Sequence, residues 1–126
     1  MSDYTPKFPL GAAGFGLSLG GTVTGGQLVA VSASSTVVAA TTALAGKVIG
    51  VASRDGVSSD KITILPLKMV HETTCGTGGV TAGDPLKTDN TGLVTLYVVG
   101  TDAVTQLIGY AVTTATATNP VRWIGR

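Results

Sequence analysis

The sequence reads twice, and that repetition limits the fold to a body built from two copies of one unit. Val23-Thr24-Gly25-Gly26-Gln27-Leu28 is echoed by Val80-Thr81-Ala82-Gly83-Asp84-Pro85-Leu86. Ile49-Gly50-Val51-Ala52 returns as Ile108-Gly109-Tyr110-Ala111, and Ile62-Thr63-Ile64-Leu65 as Val121-Arg122-Trp123-Ile124. The offset is 57 residues at the first echo and 59 at the other two, so two residues are inserted midway. A chain of 126 residues makes one domain, with the copies expected over about 21–75 and 76–126.

Each copy alternates short β-branched runs with turn signals, and 18 glycines favour tight turns over helices. Strands are expected near 27–32, 35–40, 46–53, 60–66 and 68–73, then near 79–82, 85–88, 93–99, 106–113 and 120–125. A short helical turn is expected within 39–46, against the preference of its threonines. The expected fold is all-β: a compact β-barrel or β-sandwich of two similar β units, preceded by an extended N-terminal arm.

That arm covers residues 1–20. Pro6, Pro9, Gly11, Gly14, Gly16 and Gly20 interrupt it, so it has no propensity of its own for helix or strand. Tyr4, Pro6, Phe8, Pro9, Leu10 and Phe15 are its candidate binding residues, apolar anchors and stiff points on an adaptable tether. Twenty extended residues reach at most about 65–70 Å. Ordering them costs about 1–2 kcal/mol each, more than four buried anchors at about 1.5–3 kcal/mol each return. Docking therefore requires main-chain pairing with a partner's strand edge as well.

Charge excludes several functions. Only 12% of residues are charged, and eight basic side chains nearly balance seven acidic ones. A nucleic-acid binder needs a basic face, and electrostatic capture by an anionic membrane needs the same, so neither partner is expected. The mean hydropathy is positive, yet no apolar run approaches the roughly 20 residues of a spanning helix. The surplus apolar surface is expected to be buried against protein partners. No basic-then-apolar leader opens the chain, and the single Cys75 fits folding in a reducing cytoplasm.

No constellation of catalytic side chains stands out, and no enzyme activity, metal or cofactor is expected. Gly11, Gly14 and Gly16 mimic a dinucleotide loop, but no strand precedes them and no helix follows. His71, Glu72 and Cys75 are close in sequence, yet a strand sends His71 and Glu72 to opposite faces. One histidine and one cysteine are too few for a zinc site within one subunit, leaving only three His71 side chains around a threefold axis. Asp84, Asp89 and Asn90 lack the order of a calcium loop and suit turns bracketing a short strand. Trp123 and Tyr110 are the candidates for a sugar-stacking platform.

The run Thr22 to Ala30, then Gly46 to Ala52 and Asp60 to Leu65, resembles the lambda-like bacteriophage head decoration proteins, also called capsid cement proteins. The pattern is an Ile-Gly-Val-Ala module and a hairpin behind a Gly/Pro-rich arm, and Val80 to Leu86 with Leu107 to Ala111 looks like the module again. The resemblance implies a homotrimer, made in the host cytoplasm. It would bind the outer face of the capsid and clamp neighbouring major capsid protein subunits. The alternatives are the base of a head fibre, a tail component, or a carbohydrate-binding β domain.

Overall fold

The computed structural model describes residues 15–126. They form an all-β body of ten strands in two five-stranded arrays. The first unit contains β1 (Phe15–Leu19), β2 (Leu28–Ala33), β3 (Thr36–Ala39), β4 (Val48–Ala52) and β5 (Lys61–Pro66). They close into a barrel in the order β1-β3-β2-β4-β5, with β1 antiparallel to β5 and parallel to β3. The second unit contains β6 (Val70–Thr74), β7 (Pro85–Thr88), β8 (Val94–Leu96), β9 (Gly109–Ala111) and β10 (Pro120–Gly125). Its order, β6-β10-β9-β7-β8, repeats the circular order of the first. Here the edges β6 and β8 meet only through a parallel bridge between Cys75 and Val94. Short 3-10 turns, Thr42–Lys47 and Val104–Gln106, precede β4 and β9.

The echo is reproduced bond by bond. Gln27 N donates to Thr24 O at 3.0 Å, and Asp84 N to Thr81 O at 3.0 Å. Both turns place a glycine at positive φ, Gly26 at 88° and Gly83 at 92°, which a type II turn demands. The fourth side chain closes each turn: Gln27 Oε1 accepts from Thr24 N and Asp84 Oδ2 from Thr81 N, both at 2.8 Å. The antiparallel bridges Val23–Gly56 and Val80–Ala115 also correspond. The repeated Ile-Gly has a steric cause. A Cβ on Gly50 would lie 2.3 Å from Leu65 O, and one on Gly109 2.1 Å from Ile124 O.

The interiors correspond as well. Leu19, Val23, Val29, Val37, Ala52, Ile62 and Ile64 fill the first barrel. Their counterparts Cys75, Val80, Leu86, Val94, Ala111, Val121 and Trp123 fill the interior of the second unit. Trp123 is the large change, and its buried indole N–H finds an acceptor in Thr73 Oγ1 at 3.0 Å, where the first unit has Leu17. Leu28, Ala30, Ala40 and Val51, on the outside of the first barrel, share one buried cluster with the second interior. Both faces of β2 are thus buried, and the two units form one body.

The inserted residues lie after Tyr97. Tyr97 N donates to Pro85 O as Ala40 N does to Leu28 O, at 2.8 and 2.9 Å, so the copies are still in step there. The longer loop caps the second unit: Tyr97 Oη donates to Asp102 O at 3.0 Å, and Lys87 Nζ pairs with Asp102 at 2.8 Å. That bond and the Val98 amide hold the Asp102 carboxyl below its ordinary value.

Three sequence expectations are corrected. Residues 15–19, assigned to the arm, are β1, because pairing on both edges supplies what Gly16 and the local propensity lack. Residues 79–82 hold a single bridge at Val80 and the first half of the type II turn 81–84 instead of a strand. The copies divide before β6, since β1 and β6 are counterparts, so residues 70–74 open the second unit. The turn expected within 39–46 is the 3-10 turn Thr42–Lys47.

Candidate functional site

Tyr4, Pro6, Phe8, Pro9 and Leu10 lie outside the described residues, as do Gly11 and Gly14. Phe15 is described: it is half-buried in β1, opposite Ile64 of β5, and belongs to the barrel wall. Gly16 follows in the same strand, and no helix follows it.

The period-2 pattern of β10 sends Val121 and Trp123 inward and Arg122 and Ile124 outward. Ile124 pairs with Val70 of β6 on one side and Tyr110 of β9 on the other. The three form a row across adjacent strands, 47%, 62% and 47% exposed respectively. Exposed Val112 extends this face, and Glu72 and Arg122 flank it with an exposed ion pair at 3.7 Å. In the first unit the counterparts of Ile124 and Tyr110 are Leu65 and Val51, and Val51 is buried in the contact between the units. The row is therefore an exposed apolar face of the second unit, flanked by one ion pair. Its signal in the sequence was the alternation of Val121 to Ile124; the alignment with Val70 required the register.

Trp123 and Tyr110 are not brought together. Trp123 is 0% exposed and points into the core, whereas Tyr110 points out, so these two rings form no sugar-stacking platform. His71 is buried against Trp123, ring centroids 4.6 Å apart, with Nε2 donating to Pro66 O at 2.9 Å and Leu67 O at 3.2 Å. Burial pulls its pKa below the ordinary histidine value, against the opposing effect of the two carbonyls. In this position three copies cannot present it to a shared axis. Glu72, one residue on, is exposed on the opposite face, as a strand requires. Cys75 is a buried free thiol whose pKa is pushed up by burial and then by the charge of Asp89.

The acidic residues build turns. Asp89 Oδ1 accepts from Thr91 N, Thr91 Oγ1 and Leu93 N, and Asn90 Oδ1 accepts from Thr42 N of the first unit. Among the described residues no group of three or more His, Cys, Asp or Glu is placed to hold a metal. No described helix is long and apolar enough to cross a membrane.

Two shallow grooves lie on the described body. One, of about 440 Å³, runs beside Thr77 to Thr81 and Thr114 to Ala117 in the second unit. The larger, about 520 Å³, lies where the units join, with Thr24 to Gln27 on one side and Glu72 to Thr74, Thr91, Leu93 and Pro120 on the other.

No family model matches the sequence, and no curated protein matches it. Among solved structures, the fold is similar to the N base of the head fiber protein gp8.5 of bacteriophage phi29. The TM-score is 0.65 and the identity 21%, over 89% of this chain and 92% of that one.

Proposed function

We propose that this chain is a structural protein of a bacteriophage virion. In this reading it is a homotrimer on the outer face of the capsid, made in the host cytoplasm, which clamps neighbouring major capsid protein subunits. The observation that carries the reading is the shared fold with a head-fiber base over nearly the whole chain. The body suits the role: two fused β units with few charges and an apolar row open to a protein partner. Residues 1–14 supply the tether. Tyr4, Phe8 and Leu10 are its anchors, with Pro6 and Pro9 as stiff points, and three such arms act together at high effective concentration.

Deleting residues 1–14 and measuring occupancy on undecorated heads tests the clamp. Occupancy should fall sharply while the body stays folded; unchanged occupancy would refute it. The match itself favours a second reading, the base of a head fibre. A fibre base carries a longer appendage on each trimer, whereas a cement protein ends at the body, and imaging of virions separates the two.

A further inference from the structure

In the first unit, Ser18 N donates to Ser35 O at 3.2 Å and Gly20 N to Val37 O at 2.8 Å, and β1 zips onto β3. The second unit keeps only the latter bond, as Gly76 N to Val94 O at 2.8 Å. The counterpart of the Ser35 carbonyl is that of Gly92, and it accepts from Leu28 N at 2.8 Å instead. The Thr74 amide, counterpart of that of Ser18, is left with no acceptor among the described residues. Cys75 N donates to Asn119 O at 2.9 Å, so β10 bonds the odd-numbered residues of β6. The amides of Glu72 and Thr74 and the carbonyl of Glu72 therefore point away from β10, into the groove of about 520 Å³. This seam is an open strand edge facing a wall formed by Thr91 and Leu93.

We propose that the seam takes one extended strand from the partner protein, running parallel to β6 as β3 runs parallel to β1. An unpaired edge selects main chain, and the twin unit shows what satisfies it: the Ser35 carbonyl, where the chain enters β3, takes the amide of Ser18, the counterpart of Thr74. The walls carry Thr24, Thr73, Thr74 and Thr91 together with Leu93 and Pro120. Their one ionised group, Glu72, already faces Arg122, so an uncharged segment fits. Within the chain's own arm the stretch through Pro6 and Pro9 does not fit, because prolines three apart leave each edge of a strand through them short of an amide. The proposal rests on the structural reading above, because a subunit of the shell supplies the strand.

The test uses the full-length protein and a synthetic peptide with the sequence of residues 34–40. Saturating peptide should slow hydrogen exchange at the Glu72 and Thr74 amides by at least about tenfold. N-methylation of alternate peptide residues should abolish this for one set and spare it for the other. Thr74→Pro removes the seam amide opposite Pro120, outside the β6–β10 hydrogen bonds, and should abolish the protection while keeping the fold. Should that variant unfold, the methylated peptides decide alone. No slowing at about 1 mM peptide, slowing confined to other amides, or equal binding by both methylated sets overturns the proposal. A failed peptide leaves head binding through the arm intact. Conversely, a chain that ignores phage heads but takes the peptide refutes the virion role and not the seam.

Discussion

The amide of Leu28 donates to the carbonyl of Gly92 at 2.8 Å, joining the two units through the carbonyl whose counterpart closes the first barrel. Neighbouring bonds strengthen the junction: Gln27 Nε2 donates to Thr91 O at 2.7 Å, and Thr42 Oγ1 to Asn90 Oδ1 at 3.1 Å. One hairpin tip, Asp89 to Gly92, thus leaves its own sheet to bind the neighbouring barrel.

Leu28→Ala keeps this amide and removes a fully buried side chain from the shared cluster. It should cost about 2–5 kcal/mol, read as a lower urea midpoint. Probes in the two units, Trp123 fluorescence for the second and amide exchange in β4 for the first, should cease to report one coincident transition.

Gly50→Ala and Gly109→Ala should each destabilise by about 1–3 kcal/mol, because the new methyl meets a backbone carbonyl that cannot swing aside. Thermal unfolding checks this. Gly78→Ala is the control: the nearest atom to its Cβ is a side-chain oxygen of Thr95 at 3.9 Å, and the change should have little effect.

Thr73→Val strands the indole N–H of Trp123 in the core and should cost about 1–3 kcal/mol. Paired with Trp123→Phe, which needs no acceptor, the same change should cost much less. A double-mutant cycle in denaturant measures that coupling.

His71 is held neutral by burial, so its folded pKa lies below the unfolded value near 6.5. The unfolded chain then binds the extra proton first. Its contribution is fully present above about pH 6.5 and is lost as pH falls through that value toward the folded pKa, with a slope of at most about 1.4 kcal/mol per pH unit. Urea midpoints between pH 7.5 and 5.5 should fall for the native chain. They should stay nearly level for His71→Phe, which installs the ring its counterpart Phe15 already carries.

The repeat was legible because its signals are steric. Gly26 and Gly83 serve one turn, Gly50 and Gly109 one close approach, and small or β-branched residues line both interiors. β1 was not legible, since Phe15 to Leu19 shares no residue with its counterpart His71 to Cys75, and its strand state comes from partners distant in sequence. The Val70, Ile124 and Tyr110 row needed the register of three strands. The seam depends on which donor captures one carbonyl, and no local pattern encodes that choice.

Pro85 stands where the first unit has Leu28, and Lys87, tied to Asp102, where it has Ala30. A proline has no amide to offer and an ion pair no apolar seat, so a third unit finds no socket like the one the second occupies. The junction is thus one-sided: the second unit does not repeat the surface by which the first one holds it.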